Sequence, residues 1–387
     1  MIKRLAVLLA VLALVAAACG GTSESDDETT TTAATTEDTT ETTAGGGGGD
    51  DGGGDAGQGS EGGTLAAVLS RGVLKCGVSG ALPGFSETQP DGTATGFDAD
   101  YCRAIAAAVL GDANAVEFRP LTAAERFDVL KAGEIDVLVR NTTYTQSRDA
   151  SGEGGVNVDF APTTYYDGQQ LMGRSDRFSA ESGPADVDGA ILCTNAGTTT
   201  EKNITEWANL GGASIGLETV EQFPEALDKF IAGQCDLVTT DGSGLVANKV
   251  TKEREGAIQP GEWVVFPTAP ISKEPLGPAT RQNDSEWADI IRWVIFATII
   301  ADEKGVTSAN IDEQRDVDPE ASRLFGGEGE VQTAMGLNAD AFYQMVKQVG
   351  NYDEIFARNL NPLDISREGT LNAPFNEGGM IYAPPAR

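Results

Sequence analysis

Polar and charged side chains at two places in the chain, about 100 residues apart, have the types that could together hold a small zwitterion. The first group offers a guanidinium with hydroxyl and amide groups, and the second offers hydroxyls at a helix start together with a carboxylate. The members are Asn141, Thr143 and Arg148 in the first group, and Thr198, Thr199 and Asp241 in the second. Charge-assisted hydrogen bonds are stronger than neutral ones, and arginine can make two of them to one carboxylate. A free amino acid would therefore fit with its carboxylate on Arg148 and its ammonium on Asp241.

Both charged residues also have a purely structural interpretation. Arg148 is followed by Asp149, so the two could form an ordinary surface ion pair. Asp241 ends a strand pattern, and aspartate there is a common helix N-cap. The residue pattern leaves these interpretations open, because loops that face solvent are polar in any protein.

Two similar stretches, residues 127–141 and 227–241, position these side chains. In each, the end of a helical pattern is followed by a glycine, Gly133 or Gly233, and then by a short apolar run that ends on a polar residue. Glycine suits the position after a helix because it adopts left-handed backbone angles without a Cβ penalty. The apolar runs predict parallel strands covered on both faces, and hence two similar α/β lobes. Since ligands bind beyond the carboxyl ends of such strands, the polar residues that follow them should face a common site.

The flanking patterns complete each lobe. In the first lobe a strand near 73–79 precedes a helix for which Asp98 is the predicted N-cap and Gly111 the predicted stop. The next helix begins with Thr122-Ala-Ala-Glu125, which is a reciprocal capping box. In the second lobe, the loop at 196–201 leads into a helix, and the free backbone N–H groups of such a helix start suit a carboxylate or another anion.

The N-terminal region has the features of an export signal. Residues 1–18 contain two basic residues, an apolar run too short for a comfortable membrane span, and small residues directly before Cys19. This order resembles a bacterial lipoprotein cleavage site, in which Cys19 would become the lipidated first residue. The alternative is ordinary signal cleavage near Ala18.

Residues 20–63 consist almost entirely of Thr, Gly, Asp, Glu, Ser and Ala, so they cannot bury enough apolar surface to offset the entropy of ordering. We expect 19–63 to be a lipidated cysteine with a disordered acidic tether. The tether accounts for −11 and the signal for +2 of the net charge of −32, which leaves −23 for the folded part. That acidity argues against nucleic acid and anionic membrane surfaces as partners. The apolar run at 293–301 is bounded by charges and predicts a core helix.

Four cysteines remain after Cys19 in a chain that is expected to be exported, where disulfides persist. Three connectivities are possible. If each lobe folds as a unit, the pairs Cys76–Cys102 and Cys193–Cys235 are favoured; four buried free thiols are the alternative. A metal site is not expected, because the sequence has no histidine and no C-x-x-C pair.

Several segments together resemble the general L-amino-acid-binding proteins of ABC importers, over a range from about Thr64 to the last residue. The segments are Leu74-Lys-Cys-Gly-Val-Ser79, Gly96-Phe-Asp-Ala-Asp100, Arg140-Asn-Thr-Thr-Tyr-Thr-Gln-Ser-Arg148, Ala196-Gly-Thr-Thr199, Lys273-Glu-Pro-Leu-Gly-Pro278, Val349-Gly-Asn-Tyr-Asp-Glu-Ile-Phe-Ala-Arg-Asn-Leu360 and Gly379-Met-Ile-Tyr-Ala-Pro-Pro-Ala-Arg387. Any one of them alone is a weak signal, and the set is specific.

The resemblance implies roles for individual residues. The carboxylate clamp of the wider polar-amino-acid family, Thr-x-x-Arg, matches Thr145 and Arg148, and the family's ammonium-binding aspartate matches Asp241. Its Gly-Thr-Thr motif matches 197–199, and its pocket aromatic corresponds to Phe85. The ligand-binding set implied by motif and pattern together is Ser79, Phe85, Asn141, Thr143, Arg148, Thr198, Thr199 and Asp241. Neither a cofactor nor a catalytic residue belongs to this set.

The implied fold is α/β, a two-lobed periplasmic-binding-protein-like architecture of type II with two parallel-sheet lobes. Lobe 1 would comprise 64–167 and 271–387, with lobe 2 inserted at 168–270, and two crossovers near Asp167 and Pro270 would form the hinge. The ligand would bind one open lobe, the lobes would close, and the permease of the ABC transporter would recognise the closed form. We expect a monomer on the extracytoplasmic face of the bacterial membrane, held there only by its lipid anchor.

Two other classes of function are compatible with the same scaffold. One is an enzyme such as a dehydratase of the cyclohexadienyl type or a cell-wall lytic enzyme, with a carboxylic acid such as Glu87 or Glu201 in place of histidine. The other is a sensory protein that reports amino acids to a membrane receptor without transport. Release of product from a candidate substrate would favour the enzyme, and recovery of unchanged ligand would favour binding.

Overall fold

The computed structural model describes residues 63–387. The predicted signal peptide, Cys19 and the tether lie outside the described residues, apart from residue 63, and they stay predictions. No helix within 63–387 combines the length and the apolar character needed to cross a bilayer.

The helices and strands alternate along much of the described chain. The α-helices are α1 (Thr64–Arg71), α2 (Phe97–Leu110), α3 (Arg126–Lys131), α4 (Gln146–Asp149), α5 (Thr199–Leu210), α6 (Phe223–Ile231), α7 (Gly242–Arg254), α8 (Ser285–Glu303), α9 (Ile311–Gln314), α10 (Pro319–Phe325), α11 (Glu330–Ala334), α12 (Ala341–Val349) and α13 (Tyr352–Asn359). The strands are β1 (Leu74–Val78), β2 (Ala81–Leu82), β3 (Ser86–Thr88), β4 (Ala94–Thr95), β5 (Val116–Pro120), β6 (Val137–Leu138), β7 (Val158–Phe160), β8 (Tyr165–Asp167), β9 (Gln169–Arg174), β10 (Ile191–Asn195), β11 (Gly216–Val220), β12 (Leu237–Asp241), β13 (Trp263–Phe266), β14 (Glu274–Leu276) and β15 (Ala279–Arg281).

Two five-stranded sheets form the frames of two lobes. The first has the order β5-β1-β6-β15-β7 and the second the order β11-β10-β12-β9-β13. The central pairs have matching registers, since Cys76 in β1 lies opposite Val137 in β6, and Leu192 in β10 lies opposite Leu237, the residue that corresponds to Val137, in β12. The predicted repetition of one α/β unit is therefore present in the fold.

The expectation of purely parallel sheets needs a correction, because both sheets are mixed. In the first sheet β15 runs antiparallel to β6 and β7, and in the second β9 runs antiparallel to β12 and β13. The reversed strand of each sheet is the one that follows a crossing between the lobes, where the chain arrives from the opposite side. The two crossings are β8 and β14, which pair with each other as a separate antiparallel ladder.

The two similar stretches fold as the sequence predicts. Gly133 ends the turn after α3 with φ of 73°, and Gly233 ends the turn after α6 with φ of 72°. Each glycine leads into the central strand of a sheet, β6 or β12. The second sheet is covered on both faces, because neighbours such as Leu237 and Val238 belong to separate hydrophobic clusters.

The N-terminus of α2 differs from the prediction. The N-cap is Gly96, with φ of 125°, so Asp98 lies in the first turn and does not cap the helix. A Cβ on Gly96 would lie 2.3 Å from the carbonyl oxygen of Phe85, and only glycine permits this close approach. The side chain of Asp98 instead accepts a hydrogen bond from the backbone N–H of Asn141 at 2.7 Å. Gly111 ends α2 in the left-handed conformation, as predicted.

Each lobe contains one disulfide. Cys76 is bonded to Cys102 with a Cα–Cα distance of 6.0 Å, and Cys193 is bonded to Cys235 with a Cα–Cα distance of 5.9 Å. Within 63–387 the one group of possible metal ligands is Cys193, Cys235 and Glu218. Both sulfurs of that group belong to the disulfide, so neither is available as a thiolate.

Candidate functional site

The carboxyl ends of four strands meet at one cavity of about 560 Å³, a volume that includes space open to solvent. Residues from both lobes line it: Ser79, Ala81, Leu82, Ala123, Arg126, Arg140, Asn141, Thr143 and Arg148 from the first, and Asn195, Thr198, Thr199, Thr200, Gln222, Phe223, Pro224, Thr240 and Asp241 from the second. Ser79 follows β1, Asn141 follows β6, Asn195 ends β10 and Asp241 ends β12. This is the edge at which open parallel sheets bind their ligands.

Arg148 lies on the first-lobe side of the cavity, on α4, and is only 6% exposed. Its Nη1 donates a hydrogen bond to the backbone oxygen of Thr143 at 2.7 Å, and its guanidinium lies 5.4 Å from the centre of the Phe127 ring. Among the described residues no carboxylate forms a salt bridge with it, so the alternative of a surface pair with Asp149 is wrong. Burial lowers the pKa of Arg148, and Glu274 and Asp241 oppose that shift.

Asp241 faces the cavity from the second lobe and is 7% exposed. It occupies the N-cap position of α7, but its side chain makes no capping hydrogen bond. Burial raises the pKa of Asp241 well above its usual value, and the carboxylates of Asp167 and Glu274 raise it further. A ligand ammonium would stabilise the charged form of this carboxylate, because an opposite charge at short range favours ionisation.

The start of α5 supplies neutral donors on the same side. Thr198 is its N-cap, and the hydroxyl oxygen accepts a hydrogen bond from the backbone N–H of Glu201 at 3.1 Å. The same hydroxyl donates to the carbonyl of Asn195 at 2.8 Å, which ties the helix start to the end of β10. The first amides of a helix have no partner within the helix, so those at the start of α5 suit an anion.

Glu274 connects both lobes beside the cavity. Its Oε2 accepts hydrogen bonds from the hydroxyls of Thr143 at 2.6 Å and Thr199 at 2.8 Å. Its Oε1 accepts from Asn203 at 2.8 Å and from Ser272 at 2.6 Å. Because Thr143 belongs to the first lobe and Thr199 to the second, this one carboxylate holds the two faces of the cavity together in the arrangement seen here.

The structure brings seven of the eight predicted ligand-binding residues to the cavity, and Phe85 is the exception. Phe85 is 1% exposed and packs edge-on against Tyr165 at 5.4 Å and Phe97 at 6.0 Å between ring centres. The preceding Gly84 has a positive φ of 77° and turns the chain so that the ring enters the core. The assignment of Phe85 as the pocket aromatic is therefore wrong. In this conformation the aromatic ring that lines the cavity is Phe223, at the start of α6.

Two lining arginines were not predicted as ligand contacts. Arg140 follows β6 and donates from Nε to the backbone oxygen of Leu121 at 2.9 Å. Burial lowers its pKa to about 10, which Asp98 opposes and Arg148 reinforces. Arg126 is the first residue of α3. The capping-box pattern before it predicts a helix start and says nothing about the direction of the next side chain, so the sequence held no signal for this residue.

Comparisons with known proteins place this geometry in context. The bacterial extracellular solute-binding proteins of family 3 match residues 74–306. The chain is 42% identical over 330 residues to the general L-amino acid-binding periplasmic protein AapJ of Rhizobium johnstonii, which covers 84% of this chain and 93% of that protein. It is 41% identical over 337 residues to the putative amino-acid ABC transporter-binding protein YhdW of Escherichia coli, which covers 86% of this chain and 95% of that one.

A solved structure gives the same result for the fold. An ABC transporter periplasmic binding protein from Brucella ovis with glutathione bound superposes with a TM-score of 0.76 at 42% sequence identity, and covers 84% of this chain and 99% of that one. The two-lobed fold of type II and the family resemblance predicted from the sequence are both confirmed.

Proposed function

The chain belongs to family 3 of the bacterial extracellular solute-binding proteins, and on that premise we propose that it captures free L-amino acids between its lobes for an ABC permease. Membership makes it an extracytoplasmic binding protein and separates it from the enzymes that could share its scaffold. The observation that carries the ligand class is the convergence of Arg148 and Asp241, both nearly buried, on one cavity.

The α-carboxylate of the ligand would bind Arg148 and the first amides of α5. Arginine holds a carboxylate through parallel hydrogen bonds, and the partial positive charge of a helix start adds to the attraction. The α-ammonium would bind Asp241. The side-chain amide oxygen of Asn141, which is enclosed and has no hydrogen-bond partner within 63–387, offers a further acceptor. The hydroxyls of Ser79, Thr143, Thr198 and Thr199 would complete the set.

Ligand capture would proceed by closure of the two lobes about β8 and β14. We propose lobe 1 as 64–167 and 271–387 and lobe 2 as 168–270. Glu274 supports this mechanism, since it accepts hydroxyl donors from both lobes and would lose one of them on opening. Hinge closure around a ligand creates the shape that the permease recognises.

The anchoring of the protein is a separate part of the proposal. The small residues before Cys19, followed by a segment without apolar side chains, favour a lipidated cysteine at the start of a tether. Labelling of growing cells with a radioactive fatty acid tests it. We expect label in the wild type and none in Cys19→Ser, and an unlabelled wild-type protein would contradict the lipid anchor.

Calorimetric titration of the purified protein with each of the twenty amino acids, and with glutathione, tests the ligand class. We expect heat and a 1:1 stoichiometry for several amino acids, and mass spectrometry should recover each ligand unchanged. Absence of binding across the whole panel would contradict the proposal. Binding without any loss of amino-acid uptake in a strain that lacks the protein would instead favour the sensory role.

A further inference from the structure

The C-terminal extension, residues 307–387, lies beyond the range that matches family 3. It contains α9 to α13 and a tail that ends at Arg387. Helices α12 and α13 pack against α2 and α8, and their apolar side chains belong to the core of the first lobe. The extension is therefore fixed to the first lobe, and two of its contacts reach further, to the crossing strand β8 and to helix α7 of the second lobe.

The first contact is with β8, one of the two crossings between the lobes. Tyr166 in β8 lies opposite Pro275 of β14, and the backbone N–H and C=O of Tyr166 point to the other edge of this ladder. Asn372 of the extension lies at that edge and is 3% exposed. Its Oδ1 accepts a hydrogen bond from the N–H of Tyr166 at 2.7 Å, and its Nδ2 donates to the carbonyl of Tyr166 at 3.0 Å. One buried carboxamide thus takes the place of a third strand along the hinge.

Asn372 is itself held on the first-lobe side. The Nε of Arg367 donates to the backbone oxygen of Asn372 at 3.0 Å, and its Nη2 donates to Asp302 of α8 at 2.7 Å. The hydroxyl of Tyr352, in α13, donates to the carbonyl of Thr164 just before β8 at 2.8 Å. The extension therefore fixes the direction in which β8 leaves the first lobe.

The second contact is with α7, whose N-cap is Asp241 in the cavity. Leu245 of this helix belongs to a hydrophobic cluster of the second lobe, whereas Ala247 is fully buried in the cluster of the first lobe. At the far end of α7, Arg254 donates a hydrogen bond to the backbone oxygen of Pro362, in the turn that follows α13. The helix that begins at Asp241 is therefore packed between the two lobes, and its end contacts the extension.

The strand β8 joins these two contacts. Asp167, the neighbour of Tyr166, accepts one hydrogen bond from the backbone N–H of Ser243 at 3.3 Å and another from the hydroxyl of the same residue. Ser243 lies in the first turn of α7, two residues after Asp241. Contacts that are made while the lobes meet across the cavity stabilise that arrangement. A ligand that binds the closed form gains affinity as the population of this form rises.

We propose that the C-terminal extension is an interlobe brace, in which Asn372 holds β8 and the turn at 361–363 holds the end of α7. Asn372 is then a positioning residue that raises the affinity for the ligand without touching it. This inference rests on the proposed closure of the lobes and adds a determinant of affinity outside the cavity. Since Asn372 does not line the cavity, its loss should weaken every ligand by the same factor and leave their ranking unchanged.

The first test compares Asn372→Ala with Asn351→Ala. Both asparagines belong to the extension and are 3% exposed, but Asn351 caps α13 and donates to the carbonyl of Val306, away from the hinge. Both variants should melt lower than the wild type. In calorimetry with the amino-acid panel, Asn372→Ala should bind each ligand at least about fivefold more weakly, because two hydrogen bonds to the hinge are lost. Asn351→Ala should keep the wild-type affinities. A lower melt with wild-type affinities in Asn372→Ala would mean a purely structural role and would overturn the inference.

The second test uses the exposed end of α7. Arg254 contacts the extension, whereas Lys252 on the same helix pairs with Glu255 of its own lobe at 2.7 Å. Arg254→Met should melt as the wild type and bind every ligand about two- to threefold more weakly, through faster release in stopped-flow measurements. Lys252→Met removes the same charge and should behave as the wild type. If Asn372→Ala does not fold, Arg254→Met decides, and a wild-type affinity there overturns the brace.

The third test measures the lobes without ligand and separates this inference from the proposed function. Helices α3 and α5 line the two sides of the outer cleft. Spin labels at Asp128→Cys on α3 and Lys202→Cys on α5, in a Cys19→Ser background, report the distance between them by double electron–electron resonance. We expect a larger share of long distances in ligand-free Asn372→Ala than in the wild type, and a wild-type distribution in Asn351→Ala. Equal distributions in wild type and Asn372→Ala overturn the brace. A shifted distribution together with no binding of any amino acid by the wild type supports the brace and contradicts the proposed ligand class alone.

Discussion

The two lobes share one scaffold and present opposite chemistry to the cavity. In both, a helix ends at a left-handed glycine, Gly133 or Gly233, and a central strand then delivers a polar residue to the same edge. The first lobe contributes Arg126, Arg140 and Arg148, whereas the second contributes Asp241 and the start of α5. Repetition of a fold therefore fixes where side chains converge, and a few residues at the strand ends decide what they bind.

The hydrophobic cores differ as well. The core of the first lobe is extended by the C-terminal helices, with Trp287 and Ile291 from α8, Phe342 from α12 and Phe356 from α13 fully buried against α2. The second sheet has only a small cluster on each face. The stability of the second lobe should thus depend more on each single stabilising contact or cross-link than the stability of the first lobe does.

The largest effect is expected from the charged pair that the lobes divide between them. Arg148→Ala and Asp241→Ala should each cost about 2–5 kcal/mol of binding, or roughly thirtyfold to several thousandfold in affinity, because one charge of the ligand is left desolvated. The same loss should apply to every amino acid whatever its side chain. Calorimetry with the ligand panel is the measurement, and the melting temperature monitors folding.

The exposed pair Asp289 and Arg292 on α8 supplies matched controls. Asp289→Ala and Arg292→Ala should leave the affinity unchanged. Near-normal affinity in Arg148→Ala would mean that the carboxylate is held elsewhere, and the division of charge between the lobes would be wrong.

Particular residues show how far the sequence alone determines this site. The glycines and apolar runs predicted both central strands, because helix stops and buried strands depend on local composition. The Phe85 assignment failed since the direction of the ring depends on the left-handed Gly84. The prediction of Asp98 as the N-cap was wrong, because the helix starts two residues earlier, at Gly96. The close approach of Gly96 to the Phe85 carbonyl cannot be seen in the sequence pattern. Arg126 was not predicted, because an unpaired buried charge is visible only in three dimensions.

The next largest effect concerns the pH dependence of stability and distinguishes buried Asp98, which does not line the cavity, from Asp241, which does. Burial raises the pKa of Asp98 from 3.8 to about 7. The folded state therefore favours protonated Asp98, and this contribution to stability is full at low pH and is lost as the pH rises through about 7. Between pH 5 and pH 8 the wild type should therefore lose about 2–3 kcal/mol more unfolding free energy than Asp98→Asn.

Urea denaturation of both proteins at the two pH values measures this difference. Asp289→Asn on the surface is the control and should keep the wild-type slope. Because Asp98 does not line the cavity, the affinity of Asp98→Asn should keep the pH dependence of the wild type. An equal pH slope of stability in wild type and Asp98→Asn would contradict the raised pKa.

Removal of each disulfide tests whether the second lobe, which has the smaller hydrophobic clusters, depends more on its cross-link than the first lobe does. Replacing either pair by alanine should cost about 2–4 kcal/mol of unfolding free energy, because the bond restricts the unfolded chain. The sequence separations are 26 for Cys76–Cys102 and 42 for Cys193–Cys235. Loop entropy alone makes the second pair more stabilising by about 0.4 kcal/mol.

Denaturation of the two double variants gives the difference, and peptide mapping of the unreduced protein checks the pairing. If Cys193→Ala/Cys235→Ala loses more unfolding free energy than the first pair by clearly more than loop entropy explains, the second lobe depends more strongly on its cross-link. A link between Cys76 and Cys193 would contradict independent folding of the lobes.

The smallest effect comes from two threonine hydroxyls that accept the same kind of hydrogen bond at different places. Thr198 is the N-cap of α5, whereas Thr122 lies in the turn before α3, whose N-cap is Glu125. Thr122 accepts from the N–H of Glu125 at 3.2 Å, and Thr198 accepts from the N–H of Glu201 at 3.1 Å. Loss of either hydroxyl acceptor should cost about 1 kcal/mol of stability, so Thr122→Ala and Thr198→Ala should melt alike. Only Thr198 lines the cavity, and only Thr198→Ala should also bind more weakly, by a few-fold, because the amides at the start of α5 lose their fixed direction. Thr198→Ser keeps the hydroxyl and should restore both properties. An unchanged affinity in Thr198→Ala would mean that the start of α5 does not bind the ligand, and that Asp241 alone represents the second lobe in the site.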